Sequence, residues 1–187
     1  MKTRFLTLLT LCMMFMSLSL FADEQVDKYV TAAAKGEYSK VVSYVKKGIS
    51  IDAKNQARWT ALGYACKYNY PDIVKFLIEN GAAINEPVNT GSTPLAVALL
   101  AGNFDIADYL IQKKADINKS DLMGMSPLMW AAKDGNLKVV KYLVEHGANV
   151  NQQNSNSRTV IEVTFSQEVK DYLKTKGAKT SQELFNS

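Results

Sequence analysis

The stretch Gly124-Met125-Ser126-Pro127-Leu128-Met129-Trp130-Ala131-Ala132-Lys133-Asp134-Gly135-Asn136, continued by Leu137-Lys138-Val139-Val140-Lys141-Tyr142-Leu143-Val144-Glu145-His146-Gly147-Ala148-Asn149-Val150-Asn151, decides the fold. Thirty-three residues upstream the same skeleton reads Gly91-Ser92-Thr93-Pro94-Leu95, then Ala98, Gly102-Asn103, Tyr109-Leu110-Ile111 and Ala115-Asp116-Ile117-Asn118. One further period upstream it reads Thr60-Ala61-Leu62, Ala65, Ile73-Val74, Phe76-Leu77-Ile78 and Gly81-Ala82-Ala83-Ile84-Asn85. Downstream it fades to Thr159-Val160-Ile161, Tyr172-Leu173 and Gly177-Ala178. Self-similarity at a fixed period of this size means a stack of repeated units, each burying its apolar face against its neighbours.

Within the unit 121–153, Ser126 precedes Pro127, so its hydroxyl can cap the first backbone donors of a helix while proline takes the first helical position. Leu128, Ala131 and Ala132 fall at i, i+3 and i+4, a narrow apolar stripe whose small residues let helices approach closely. Asp134-Gly135-Asn136 breaks that helix. Leu137, Val140, Leu143 and Val144 form a second stripe, and Gly147 ends it where a left-handed conformation suits glycine. The polar segment from Ala148 into the next unit turns back outward. Each unit is therefore predicted to be two antiparallel helices followed by a projecting loop.

The Ser/Thr-Pro-Leu start, the glycine between the helices and the Gly-Ala-Asp/Asn-Val/Ile-Asn close resemble the ankyrin repeat. The resemblance implies an all-α solenoid of helix-turn-helix units joined by β-hairpin-like finger loops. In register the domain covers 23–187: an N-terminal cap at 23–54, units at 55–87, 88–120 and 121–153, and a C-terminal cap at 154–187. The third unit has Lys114 at the usual glycine, so that helix end needs either strain or a different turn. The fifth is three residues shorter between Thr159 and Gly177, and its Glu162, Lys170, Asp171, Lys174, Lys176 and Lys179 give it the polar character of a terminal cap.

Residues 1–22 are of another kind. Lys2 and Arg4 precede an apolar run from Phe5 to Phe21, and Asp23-Glu24 opens the polar chain, the layout of a cleaved secretory signal peptide. Cleavage is expected after Ala22, although Leu20 stands where a small residue is preferred. An uncleaved membrane anchor over residues 5–21 is the alternative, the run being marginally short for a spanning helix. Lipidation at Cys12 fails because Leu11 precedes it. Export makes the expected location periplasmic, in a diderm bacterium, or secreted.

Removal of 22 residues from 187 leaves 165, or five periods of 33, and takes two of the 22 basic residues but none of the 18 acidic ones. The remaining balance of +2 supplies no electrostatic reason to seek nucleic acid. Cys66 becomes the only cysteine, which excludes an internal disulfide; its alanine-like position marks a small buried hydrophobe.

No catalytic or metal constellation emerges. His146, the one histidine, sits at an outer-helix end where the dipole favours it. A triad with Ser126 would need hydrogen-bond contact between nucleophile and base, yet Ser126 is committed to a cap. One histidine and one cysteine cannot form a ligand cluster. Asp105 and Asp108, at i and i+3, flank no apolar pocket and read as a solvated face. Lys46-Lys47, Lys113-Lys114 and Lys174/Lys176 belong to outer-helix C-termini. No cofactor and no metal are expected.

The resemblance implies a protein partner, bound on the concave face by finger tips and the ends of inner helices. Carried over by register, that face comprises Gln56, Ala57, Trp59, Lys67 and Tyr68; Asn89, Thr90, Ser92, Leu100 and Ala101; Leu122, Met123, Met125, Lys133 and Asp134; and Ser155, Asn156 and Arg158. Trp59, Tyr68, Leu100, Leu122 and Met125 are expected to align as one apolar strip, of the residue types enriched at interface centres. Packing of finger on finger is the competing use for Trp59, Leu122 and Met125. Trp130 is assigned to inner-helix packing and left out. The expected function is an exported, monomeric, non-enzymatic binding module. A periplasmic immunity or inhibitor protein, or an accessory subunit of a periplasmic enzyme, is the alternative, and an enzyme a remote one.

Overall fold

A computed structural model describes residues 22–89 and 91–186. Residues 1–21, which hold all but the last residue of the expected signal peptide (1–22) together with the alternative anchor and Cys12, therefore lie outside the described residues, as does Thr90. Among the described residues every regular element is a helix. A helix over 22–34 (α1) pairs with α2 (Tyr38–Lys46), α3 (Ala61–Lys67) with α4 (Pro71–Glu79), and α5 (Pro94–Leu100) with α6 (Phe104–Gln112). Next come α7 (Pro127–Lys133) with α8 (Leu137–Glu145), α9 (Val160–Val163) with α10 (Gln167–Thr175), and the short α11 (Ser181–Phe185). The inner helices pack in sequence, α3 on α5, α5 on α7 and α7 on α9, while α2 meets α4 and α8 meets α10 in an outer layer.

Each inner helix starts where its capping hydroxyl lies. Thr60, Thr93 and Ser126 are buried, and each side-chain oxygen accepts from the backbone amide three residues on, Gly63, Ala96 or Met129, at 3.0, 3.2 and 3.3 Å. Such caps are worth about 1 kcal/mol each. The stripes then supply the core: Leu62, Leu95 and Leu128 from inner helices and Leu77, Leu110 and Leu143 from outer ones are at most 1% exposed. Full burial of one such side chain stabilises by roughly 1.5–3 kcal/mol. Cys66 is fully buried among them, and burial pushes its thiol up, so it is an inert hydrophobe. In the first unit, which lacks the Thr-Pro-Leu start, Tyr29 and Val30 fill the core, and the Tyr29 hydroxyl donates to the Ile51 carbonyl at 2.9 Å.

The aspartate or asparagine that closes each unit binds it to the next. Side-chain oxygens of Asp52, Asn85, Asn118 and Asn151, each 33 residues from the last, accept from the backbone amides of Ala83, Asp116, Asn149 and Lys179 in the following unit, at 2.8–3.0 Å. The last acceptor finds Lys179 three residues early because the fifth unit is short. That shortening falls inside the inner helix: α9 has four residues where α3, α5 and α7 have seven, while α10 keeps the nine of α8. Lys114 resolves the third unit's missing glycine by strain, adopting the left-handed conformation itself at φ 69°.

The fingers are narrow turns. In four of them one amide donates to the carbonyl four residues on: Asn55 to Trp59, Val88 to Ser92, Asp121 to Met125 and Asn154 to Arg158, at 3.0–3.1 Å. Three carry an Asx bond as well, with Asn55, Asp121 and Asn154 side chains accepting from the turn's own amides. The remaining one, which opens the third unit, replaces that residue with Val88, which is buried against Gly63 of α3; a Cβ on Gly63 would meet its methyl at 2.4 Å.

Candidate functional site

The fingers fold over the inner helices, and the rings they bring together define two aromatic stations. At the first, Trp59 of a finger stacks on Tyr64 of α3 with centroids 4.6 Å apart, and Tyr64 stacks in turn on Tyr68 at 5.9 Å, nearly parallel. The Lys67 ammonium lies 5.2 Å from the Trp59 centroid and 5.3 Å from that of Tyr68. Trp59 is half-buried and Tyr68 46% exposed. The expected trio Trp59, Lys67 and Tyr68 is thus assembled, around a ring the sequence reading did not choose.

The second station lies between the fourth and fifth units. Trp130 of α7 is half-buried, and its indole N–H donates to Asp121 Oδ2 at 2.8 Å, which fixes the ring against its own finger. Lys133 holds its ammonium 4.7 Å from that ring's centroid. Beside them opens a groove of about 420 Å³, with Met123, Met125, Arg158, Val163 and Phe165 among its walls. Because α9 stops at Val163, the chain passes into an extended Thr164 and leaves Phe165 at the rim, 86% exposed. The same early end leaves the Glu162 carbonyl without a helical donor, and the Arg158 guanidinium supplies one.

Three expectations need correction. Met125, expected on the exposed strip, is buried at 6%: the next finger covers it, with Asn154 Nδ2 3.4 Å from its sulfur. It contributes only to the groove wall. Trp130, assigned wholly to packing, presents a face to the groove. Leu122, by contrast, keeps an exposed side chain, at 81%, while its backbone presses on the preceding finger, where a Cβ on Gly91 would lie 2.7 Å from the Leu122 nitrogen. Asp108 is more than solvated: it accepts from the Tyr142 hydroxyl and lies 3.7 Å from His146 Nε2 on the outer helices. Tyr142 also stacks on His146 at 4.1 Å, and burial with the Asp108 contact raises its hydroxyl pKa.

The other chosen residues occupy the finger side singly. Gln56 is exposed and its amide donates to Asp27 of the first unit at 3.2 Å. Asn89 is exposed and bonds the Arg58 carbonyl of the preceding finger at 3.0 Å, and Ser155 does the same to Met123 at 3.2 Å, one residue out of register. Ser92 is half-buried; Leu100 and Met123 are 40% and 52% exposed. Ala57, Ala101, Asp134, Asn156 and Arg158 are exposed. The residues missed share one register: Tyr64, Val97, Trp130 and Val163 recur every 33 positions, the fourth helical residue after each capping hydroxyl, where an inner helix faces its finger. That periodicity was available in the sequence. Among the described residues no group of three or more metal-ligating side chains gathers.

The family model for "Ankyrin repeats (3 copies)" matches residues 30–121, 86–154 and 116–181, so the chain belongs to the ankyrin repeat family. Over 81 residues, 43% of this chain, it is 32% identical to ankyrin repeat domain-containing protein 40 of Mus musculus and 37% identical to the inactive serine/threonine-protein kinase TEX14 of Bos taurus. Over 63 residues, 34% of this chain, it is 36% identical to protein phosphatase 1 regulatory subunit 27 of Homo sapiens. The matches span 22%, 5% and 41% of those relatives, so the chain covers less than half the length of each. The ankyrin repeat domain is in general a non-enzymatic module for protein–protein interaction.

Proposed function

We propose that this chain is an exported binding module that holds one protein partner on the finger-facing side of its inner helices, without catalysing a reaction. What supports the reading is the row of half-buried Tyr64, Val97 and Trp130, flanked by Tyr68, Leu100 and Met123, all three at least 40% exposed. Large apolar side chains left partly open in line on one face mark an interaction surface. Export rests on Lys2, Arg4 and the apolar run from Phe5 to Phe21, and the mature chain is then a monomer starting at Asp23.

Affinity capture from the exported fraction, read by mass spectrometry, tests both parts. The tagged wild type should enrich a partner that the Tyr68→Ala and Trp130→Ala variants lose, with melting curves confirming that both remain folded. A partner retained by both folded variants would move the interface elsewhere. N-terminal sequencing should read from Asp23, and a cytosolic chain starting at Met1 would refute export.

A further inference from the structure

We infer that the occupant of this face is an extended acidic peptide segment with an aromatic or large apolar side chain between its carboxylates; this rests on the protein-binding reading above. Both aromatic stations carry a lysine at the same register. Lys67 and Lys133 are exposed at the ends of α3 and α7, and each ammonium lies over an indole ring. A cation held against a ring is already ordered, so a carboxylate that meets it pays little for freezing a flexible side chain. Neither forms an ion pair within the chain among the described residues. Arg158 adds a third positive charge at the groove. The carboxylate next in sequence to Lys133, Asp134, is exposed; that of Asp121 is occupied by the Trp130 indole and two backbone amides. The face therefore offers an exposed ammonium outside any internal ion pair at each end, with apolar surface between, where Leu100 holds the lysine's register.

Spacing selects an extended partner. Packed helices lie about 8–10 Å apart, so Lys67 and Lys133, two inner helices from each other, are separated by roughly 20 Å. An extended chain covers that distance in about six residues. The groove of about 420 Å³ between Trp130 and Phe165 is large enough for one aromatic side chain beside the Lys133 end.

The test is an unbiased display library of twelve-residue peptides panned on the full chain, followed by titration of the enriched peptides. The expected enrichment is two Asp or Glu residues about six apart with Trp, Phe, Tyr or Leu between them. Lys67→Gln and Lys133→Gln should each weaken binding about tenfold, and 0.5 M salt should weaken it further. Lys133→Glu, verified as folded by its melt, should shift the library toward a basic residue at that end. Lys138→Glu on the outer face, where the ammonium sits 4.5 Å from the Phe104 centroid, should change nothing. Enriched peptides that lack acidic residues yet lose binding in Trp130→Ala would overturn the acidic occupant and leave the binding face intact. Peptides indifferent to every substitution on the finger side would overturn both, and an unenriched library would refute an extended segment as the occupant.

Discussion

Replacing Gly124 by alanine probes whether the fingers support one another. Gly124 adopts φ 71°, and an added Cβ would lie 2.5 Å from the Ser155 nitrogen, 2.7 Å from its hydroxyl and 3.0 Å from the Asn154 carbonyl carbon. Gly147 has φ 89° with nothing within 4 Å, so Gly147→Ala carries the backbone strain alone. A left-handed alanine costs roughly 1–2 kcal/mol, offset by about 0.4–1 kcal/mol through the stiffer unfolded chain. Gly147→Ala should therefore destabilise by about 1 kcal/mol. Gly124→Ala carries the same cost and must also push the next finger away, which breaks the 3.2 Å bond from Ser155 to Met123, worth about 0.5–1.5 kcal/mol. Relief cannot come from a rotamer, because two of the three nearest atoms are backbone. The total should approach 2–3 kcal/mol, read from urea unfolding with unchanged slope. Because Met123 of the Gly124 finger and Asn154, Ser155 and Arg158 of the next one wall the groove, peptide affinity should fall in Gly124→Ala and hold in Gly147→Ala. Equal unfolding midpoints for the two variants would refute finger-on-finger support.

Leu128→Ala and Leu143→Ala remove side chains at most 1% exposed and should each cost about 2–5 kcal/mol in denaturant unfolding, whereas Leu184→Ala, half-buried on α11, should cost far less. Lys114→Gly relieves the residue at φ 69° and should raise the unfolding midpoint, a gain of up to about 1 kcal/mol after the added unfolded-state freedom; a lower midpoint would contradict the strain. Burial pushes the Glu162 carboxyl up, but donors from Thr159 and Ser181 together hold it below its ordinary value. Its stabilisation is thus present above the unfolded pKa near about 4.3 and lost as pH falls through the folded one, so a pH series should show Glu162→Gln less acid-sensitive than wild type. Asp52 runs the other way: burial raises its carboxyl, its protonation favours the folded state as pH falls, and Asp52→Asn should steepen the acid loss.

The period of 33, the capping hydroxyls and the two stripes per unit were sufficient to read the helix pairs, because they report local spacing that any one unit repeats. The role of Asn85, Asn118 and Asn151 was half legible: their recurrence shows in the sequence, but their acceptor role appears only when the next unit's amide stands opposite. Exposure on the binding side was the least legible. Register equates Met125 with Trp59, yet one is buried under the following finger and the other half-buried against its own helix, since burial depends on what the neighbouring unit supplies. Trp130 became available for the same reason. Three residues missing from α9 end that helix early, open the space beside the indole and set Phe165 at its rim. Repeat position is encoded along the chain and is read from it; the surface a partner meets is made between units, by side chains about a repeat apart in sequence, and only the tertiary stacking decides it.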